Sequence, residues 1–265
     1  IQAIANITIK GNIGSVKENL EEIEKKFKNE KIEKYKLSET TENIQLEETK
    51  FNNTYGGFTE NEYIIDIDEE KIPPRAWSNI MANKEMGTVV TENCGGYTWY
   101  KNSRLQRITH WENDSIQDFS PEKILVRDRN KKEYWYLGNS ENKNKYQVKF
   151  GIGYSIFKQI NNSIIQENTI FIPIEDAIKI NNIKLKNKEK ESKKISIQYI
   201  LNLSLGENKN SSLGRIKAQQ KDNTVYLENI CKSHFNEIIE ITSNEKIKLC
   251  INQNENILNE NTLIV

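Results

Sequence analysis

The chain has little of three things: net charge, long apolar runs and cysteine. Its 38 lysines and arginines equal its 38 aspartates and glutamates, so no overall field directs it onto nucleic acid or an anionic membrane. No stretch approaches the roughly 18 apolar residues that a membrane span needs, and we expect no span in this chain. Hydrophobic residues make up only 36% of its 265 residues. High charge without net excess favours a folded, well-solvated domain over disorder.

The three cysteines, Cys94, Cys231 and Cys250, are odd in number and far apart. This spacing fits neither a disulfide framework nor a zinc site, and His234 near Cys231 has no further ligands at zinc spacing. We therefore expect unpaired thiols in a reducing compartment, which corresponds to a cytoplasmic location.

The first residues have neither the basic region nor the apolar core of a secretory signal, so we expect no such signal. The chain begins with isoleucine rather than methionine, which predicts a processed or excerpted protein.

A helical leader is predicted in residues 1–50. Apolar residues recur there at helical spacing among lysines and glutamates, at Val16, Leu20, Ile23 and Phe27. This pattern predicts an amphipathic helix from Ser15, as N-cap, to about Lys36, followed by a polar linker from Leu37 to Lys50. The mixed charge of the polar face favours a helix packed on protein over one lying on a membrane.

From Phe51 onward the apolar period changes to two, which is typical of strands. The predicted strands are Tyr63–Ile67, Gly87–Thr91, Ile124–Arg127, Tyr134–Tyr136, Tyr146–Phe150, Tyr154–Ile160, Ile164–Ile172, Ile178–Ile180, Ile183–Leu185, Ile195–Ser204, Thr224–Leu227, Ile238–Thr242 and Ile247–Leu249. The fold class is therefore mainly β, a large antiparallel β-sandwich with an N-terminal helical leader. Lysine-rich runs such as Asn187–Lys194 are interpreted as solvated turns rather than as a functional basic patch.

The segment Gly95–Asp114 has no clean period, yet it holds two of the four tryptophans with two tyrosines, two arginines and a histidine. Aromatic faces can cover the C–H side of a pyranose, and arginine, asparagine and aspartate can pair with its hydroxyls or with a phosphate. Loops that gather such groups usually serve a site. The candidate carbohydrate-binding residues are Tyr97, Trp99, Asn102, Arg104, Arg107, Trp111, Asn113 and Asp114. In the alternative interpretation, the two tryptophans plug the end of the sandwich and the arginines and aspartate pair among themselves.

Other catalytic interpretations are weaker. The carboxylates of Asp66, Asp68, Glu69 and Glu70 could serve acid–base chemistry, but they follow a predicted strand and favour an acidic turn. His110, Asp114 and Ser115 are triad residue types, but neighbours in one loop rarely reach triad geometry.

A series of short motifs begins at Asn52. The run Asn52–Phe58, followed by Glu62–Ile65, resembles the opening of the β-sandwich domain of glycoside hydrolase family 94. The likeness continues through Pro74, Trp77-Ser78-Asn79, Ala82-Asn83, Gly87-Thr88, Gly96–Trp99, Asn102-Ser103-Arg104, Arg107, Thr109, Trp111, Asn113-Asp114 and Arg127-Asp128. Closing motifs lie at Ile197–Tyr199, Leu205-Gly206, Asn229 and Phe235-Asn236. This sequence departs from the family pattern at His110, where proline is usual, at Gln106, where asparagine is usual, and at the intruding Arg75-Ala76.

The resemblance implies a galactose-mutarotase-like supersandwich over residues 51–250, with residues 251–265 starting a linker to an (α/α)6 barrel. The family contains inverting disaccharide and β-1,2-glucan phosphorylases and the phosphorylase-like part of cyclic β-1,2-glucan synthases. Its general acid is an aspartate on that barrel, and inorganic phosphate attacks from the opposite face. Since no part of this chain has the pattern of paired helices, the resemblance implies no catalytic residue here. It also implies no metal or organic cofactor, with inorganic phosphate as co-substrate of the parent enzyme.

The implied partners are a β-glucan or disaccharide, the enzyme's own C-terminal catalytic domain and a second copy of the parent, with no nucleic acid. The expected role is a non-catalytic domain that packs on the barrel and presents loops to the sugar cleft. A cyclic glucan synthase as parent would associate with a membrane elsewhere in its chain. Two alternatives stay open: a stand-alone carbohydrate-binding module and a non-enzymatic interaction sandwich.

Overall fold

The computed structural model describes residues 14–21, 34–38, 42, 44, 47–68, 70–112, 114, 118–138, 145–233, 235–248, 257–258 and 262–264. Strands dominate these residues, beside an α-helix at 16–21 and a 3₁₀ turn at Lys209–Ser211. In chain order the strands are β1 Lys36–Leu37, β2 Gly56–Phe58, β3 Glu62–Ile67, β4 Ser78–Ala82, β5 Met86–Thr91, β6 Gly96–Tyr100, β7 Arg107–Thr109, β8 Glu122–Asp128, β9 Glu133–Tyr136, β10 Tyr146–Gly151, β11 Tyr154–Asn161, β12 Ile164–Phe171, β13 Ile180–Asn187, β14 Ile195–Gly206, β15 Ile216–Lys221, β16 Thr224–Asn229, β17 Ile238–Thr242, β18 Ile257–Leu258 and β19 Thr262–Ile264.

The strands form three sheets. A nine-stranded sheet has the order β1-β9-β8-β14-β7-β6-β5-β4, with β19 beside β14. A six-stranded sheet has the order β13-β12-β11-β10-β3-β2, and a four-stranded sheet the order β17-β16-β15-β18. Pairing is antiparallel between the described strands except for the parallel pair β1 and β9.

Two apolar cores lie on one face of the nine-stranded sheet. The first, around Trp135 and Phe157, joins it to the six-stranded sheet, and the second, around Phe235, joins it to the four-stranded sheet. Val90 belongs to the first core and Met86 to the second. Because these residues lie four positions apart on β5, they point to the same face. Both smaller sheets therefore pack on that face, which confirms the mainly β sandwich, and the opposite face of β5 points away from both cores.

The predicted helical leader is confirmed at its start. The Ser15 hydroxyl accepts a hydrogen bond from the Glu18 N–H at 3.4 Å, and the Glu18 carboxylate accepts one from the Ser15 N–H at 2.6 Å, which forms a capping box. Residues 22–33, most of the predicted helix, lie outside the described residues. The predicted helix end at Lys36 is wrong, since Lys36–Leu37 is β1.

The described residues between 42 and 50, which belong to the predicted linker, lie across the outer face of the six-stranded sheet. Lys149 follows the core residue Val148 on β10 and so points outward, yet it is only 5% exposed. The segment, where it is described, contacts the sheet from edge to edge. Its contacts are Glu42 with Lys188 beyond β13, Glu47 with Lys149 on β10 at 2.5 Å, and Lys50 with Phe58 on β2.

Most of the predicted strands are confirmed, with three corrections. The pieces Ile178–Ile180 and Ile183–Leu185 are replaced by a single strand, β13. Residues 247–248 are not a strand. The segment Gly95–Asp114, predicted as loop, contains β6 and β7.

Candidate functional site

The aromatic residues of Gly95–Asp114 stand on the outward face of the nine-stranded sheet. Tyr97 lies opposite Val89 and Trp99 opposite Gly87 in the pairing of β5 with β6. Val89 precedes the core residue Val90, so its face points away from the cores. The site is therefore built partly on rigid strands rather than on loops alone.

Four of the eight predicted residues come together there and form what we name the aromatic–arginine cluster: Tyr97, Trp99, Arg107 and Trp111. The rings of Tyr97 and Trp111 stack with centroids 4.8 Å apart and planes at 20°, and Trp99 lies 5.2 Å from Tyr97 at 38°. The Arg107 guanidinium carbon lies 5.3 Å from the Tyr97 centroid and 5.4 Å from that of Trp111. Tyr97 is 9% exposed, while the other three are half-buried.

Gly87 makes room for the Trp99 indole. A Cβ atom on Gly87 would lie 2.1 Å from Cζ2 of Trp99, a separation that any larger residue would have to relieve by moving the ring. The absence of a side chain on β5 therefore allows the indole to lie flat across the neighbouring strand.

The two arginines have different surroundings. Arg107 donates through Nε to the Ser103 carbonyl and through a terminal nitrogen to the Glu207 carbonyl, each at 3.2 Å. Arg104, whose side chain is 78% exposed, pairs with the Glu207 carboxylate at 3.5 Å. Arg107 is thus fixed by the backbone, whereas Arg104 lies free to turn toward solvent.

Of the four remaining predicted residues, Asn102 and Arg104 lie on the turn between β6 and β7. The Asn102 side-chain oxygen accepts the N–H groups of Arg104 and Leu105 at 3.0 and 2.8 Å, so Asn102 shapes the turn between β6 and β7. Asp114 is exposed, and Asn113 lies outside the described residues.

The inward face of the same strands rests on a buried ion pair. Lys179 donates to the Glu122 carboxylate at 2.7 Å and to the Thr98 hydroxyl at 3.1 Å, with both charged side chains about one-tenth exposed. Thr98 and Thr109 donate to the other carboxylate oxygen at 2.5 and 3.2 Å, and Tyr199 donates to Glu122 as well. This network joins the six-stranded sheet to the strands that carry the aromatic–arginine cluster.

Opposing effects set the pKa of Glu122. Burial alone would raise it, but the charge and hydrogen bond of Lys179 and the hydroxyls of Thr98 and Tyr199 outweigh burial and lower it. Burial and the adjacent Glu122 charge raise the pKa of Tyr199 well above its usual range. Glu122 is therefore the ionised acceptor of this network and Tyr199 a neutral donor.

Two further carboxylates, those of Asp118 and Glu92, lie at the turn between β5 and β6. Asp118 accepts a hydrogen bond from the Thr91 hydroxyl, and a Cβ on Gly95 would lie 2.1 Å from its carboxylate. Glu92 accepts the Trp77 N–H at 2.7 Å. Burial raises the pKa of Glu92 to about 7, with a smaller contribution from the charge of Asp118, and burial also raises the pKa of Asp118.

The cavity that lies between the sheets beside the buried ion pair is too small for a sugar. A cavity of about 20 Å³ lies beside Lys179, Tyr199 and Asn168, which is room for a water molecule. Among the described residues no group of three metal-binding side chains is close enough to hold an ion.

The other predicted groups have ordinary surroundings. His110 pairs with Glu112 at 2.9 Å, and Ser115 lies outside the described residues. Cys94 and Cys231 are unpaired, as predicted, while Cys250 lies outside the described residues. No helix in the described part of the chain is long and apolar enough to cross a membrane.

Sequence reasoning missed the residues that support the cluster. Gly87 belongs to the Gly87-Thr88 motif and could have been noticed there, but its role of making room for Trp99 depends on the pairing of β5 with β6. Glu122 and Lys179 are 57 residues apart and are ordinary charges in the sequence. The backbone carbonyl of Glu207 has no sequence signal at all.

Four matches relate this chain to known proteins. Residues 61–244 match a family model described as glycosyl hydrolase 94, supersandwich domain. An N,N'-diacetylchitobiose phosphorylase of Vibrio proteolyticus is 27% identical over 149 residues, which is 54% of this chain and 18% of that protein. A second one, of Vibrio furnissii, is 24% identical over 185 residues, which is 66% of this chain and 23% of that protein.

A cyclic β-(1,2)-glucan synthase of Rhizobium meliloti is 26% identical over 164 residues, which is 60% of this chain and 6% of that protein. The chain thus spans less than a quarter of the length of each of these relatives.

Proposed function

Because this chain belongs to the glycosyl hydrolase 94 supersandwich domain family, we propose that it is the non-catalytic carbohydrate-binding and structural domain of a larger enzyme. That enzyme is a β-glucan or disaccharide phosphorylase or a cyclic β-1,2-glucan synthase. The proposal includes packing on a separate catalytic barrel, which carries the general acid and the phosphate site, and association of the parent enzyme as a dimer. It also includes a cytoplasmic location for this domain.

The aromatic–arginine cluster carries the binding part of the proposal. Trp99 and Trp111 are half-buried and outward-facing, and two neighbouring ring planes can stack on the apolar face of a pyranose. Arg104 lies at the edge of the cluster with its side chain 78% exposed, where its donors can reach sugar hydroxyls. Strand residues beneath the rings keep the surface preformed, which limits the entropy lost on binding.

Titration calorimetry tests this assignment. It measures the affinity of the 265-residue chain for a soluble β-1,2-glucan or a β-linked disaccharide. We expect weak binding that Trp111→Ala reduces at least about tenfold, because the variant removes one of the exposed ring faces. Lys221→Ala, an exposed change on β15, is the matched control. Unchanged affinity in Trp111→Ala would refute the site.

Catalysis gives an independent test of the same proposal. We expect no phosphorolysis of any β-linked disaccharide by the isolated chain, because the general acid is assigned to another domain. In the complete enzyme, Trp111→Ala is expected to raise KM for the sugar. Turnover by the isolated chain would overturn the assignment of the acid.

A purely structural role for the cluster is the second candidate. Its specific support is that Tyr97 is 9% exposed and that Arg107 donates to two backbone carbonyls. In that case Trp111→Ala lowers the stability of the chain, no sugar response is seen, and the mass in analytical ultracentrifugation rises with concentration.

A further inference from the structure

Eight exposed cations from three separate segments meet at one end of the sandwich. They come from β1 and the residue pair before it, from the turn between β8 and β9, and from β13 and the loop after it. We name them the lysine cluster: Lys34, Lys36, Arg129, Lys131, Lys132, Lys186, Lys190 and Lys194.

Backbone hydrogen bonds hold the three segments together. The Lys36 N–H donates to the Lys132 carbonyl, and the Arg129 N–H donates to the Lys194 carbonyl, each at 2.9 Å. The Lys194 N–H donates to the Asn130 side chain at 2.9 Å. The three segments that carry the cations are therefore brought together by the backbone fold, whichever rotamers the side chains adopt.

The loop after β13 is ordered rather than a loose run of charges. The Asn187 side chain donates to the Glu191 carbonyl at 2.7 Å and accepts the Glu189 N–H at 3.0 Å. The Asp128 carboxylate likewise accepts the N–H groups of Asn130 and Lys131 at 2.9 and 3.0 Å. A preformed surface loses little conformational entropy when it binds a partner.

The lysine cluster has few carboxylates to neutralise it. None of its eight cations forms an ion pair with another residue that the structure describes. Of the nearby acids, Glu189 pairs with Lys193 at 3.1 Å and also interacts with Lys131, while the buried Asp128 carboxylate accepts backbone N–H groups. With Glu133 and Glu191, these acids supply four negative charges against the eight positive charges of the lysine cluster. A chain with a net charge of zero thus carries a strongly positive end, so neutrality of the whole conceals a local field.

We propose that the lysine cluster docks this domain on an anionic phospholipid surface. Seven of the eight cations are lysines, whose compact hydrated charges suit diffuse attraction to many headgroups, whereas paired recognition of single phosphates favours arginine. Tyr35, which lies between Lys34 and Lys36, has the Arg127 guanidinium 5.3 Å from its ring centroid, so that face of the ring is already covered and is not open to stack on a nucleic-acid base. Each basic residue held near an anionic leaflet contributes about 1 kcal/mol of attraction, and clusters of four to eight such residues are typical of lipid-binding surfaces.

Co-sedimentation of the 265-residue chain with vesicles tests this proposal. We expect binding to vesicles of equal parts phosphatidylglycerol and phosphatidylcholine and none to pure phosphatidylcholine. Raising the salt from about 0.1 to about 1 M should abolish binding, because the screening length falls from about 10 to about 3 Å.

Two fourfold variants separate the lysine cluster from net charge. Glutamine at Lys131, Lys132, Lys190 and Lys194 is expected to weaken binding by about 100-fold or more. Glutamine at four exposed lysines elsewhere, Lys71, Lys84, Lys221 and Lys246, makes the same change in net charge and should weaken it less than about threefold. All eight sites are exposed, so both proteins are expected to fold, which circular dichroism checks.

Three results would overturn the proposal. One is absence of wild-type binding to the anionic vesicles, and another is an equal loss of binding in both variants. The third is tighter binding of polyuridylate RNA than of the vesicles at the same salt, which would make nucleic acid the partner.

Discussion

Arg107 lies directly opposite Trp99 on paired strands, and its guanidinium extends past that residue to Tyr97 and Trp111, 5.3 and 5.4 Å from their ring centroids. The planar group contacts two rings and still donates to two backbone carbonyls. An ammonium group could not do both, because it has neither the plane nor the fork of donors.

Arg107→Lys is therefore expected to lower the free energy of unfolding by about 1–2 kcal/mol. Urea denaturation followed by tryptophan fluorescence measures the change. Arg104→Lys is the matched control, and because its ion pair is exposed it should stay within about 0.5 kcal/mol of wild type. Equal effects of the two substitutions would contradict the role given to Arg107.

The buried ion pair gives a prediction for stability. Lys179→Met should cost about 3–5 kcal/mol, because it leaves Glu122 charged and buried without its counter-charge. The double variant Lys179→Met with Glu122→Leu should recover much of that loss. A double variant as unstable as the additive effects predict would show that the two side chains are not coupled.

An exposed ion pair on the six-stranded sheet serves as the reference for the cost of losing the buried ion pair. Lys184 and Glu167 lie 3.2 Å apart with Lys184 66% exposed, so Lys184→Met should cost less than about 1 kcal/mol.

Gly87 offers a test of the packing beneath Trp99. Gly87→Ala is expected to destabilise the chain by about 1–3 kcal/mol, since the new methyl group needs the space that the indole occupies. Near-ultraviolet circular dichroism should show the displaced tryptophan. In a Trp99→Ala background the same glycine change should cost much less, and an unchanged cost there would assign the effect to the backbone instead.

The raised pKa of Glu92 predicts that the stability of the folded chain depends on pH. Its pKa is raised from 4.5 to about 7 in the folded state, so between these values the folded chain holds a proton that the unfolded chain releases. Stability is then expected to fall as the pH rises from about 4.5 through 7, by as much as about 3 kcal/mol. Glu92→Gln, which keeps an acceptor for the Trp77 N–H, should flatten this part of a thermal-melting profile. A slope that survives the substitution would come from another group.

Several strands of the six-stranded sheet could be predicted from their residue pattern. In β10 the core residue Val148 lies between the polar residues Gln147 and Lys149, which is the alternation that sequence periodicity detects. In β12, where the buried residues include Gln166 and Asn168, the prediction rested on β-branched and aromatic content instead. The fold class and most strand positions follow from this alternation together with the resemblance.

Strand β6 could not be predicted because its alternation is inverted. Its inward residue Thr98 is polar, and its outward residues Tyr97 and Trp99 are aromatic. A prediction that assigns the apolar side of a strand to the core would therefore turn β6 the wrong way. The polar interior depends on Glu122 and Lys179, which come from distant parts of the chain. The aromatic–arginine residues were recognisable from composition and motif, while their support was visible only after folding.

The segment that crosses the six-stranded sheet has a consequence for the order of folding. Glu47 meets Lys149 across 102 residues of chain, and Glu42 meets Lys188 across 146. During synthesis from the amino terminus, the segment that contains Glu42 and Glu47 is made well before most of the sheet surface that it contacts. Contacts of such long separation form slowly. The pairing of Lys50 with Phe58 is local, but the ion pairs of Glu47 and Glu42 can form only after β10 and the loop after β13 have been synthesised.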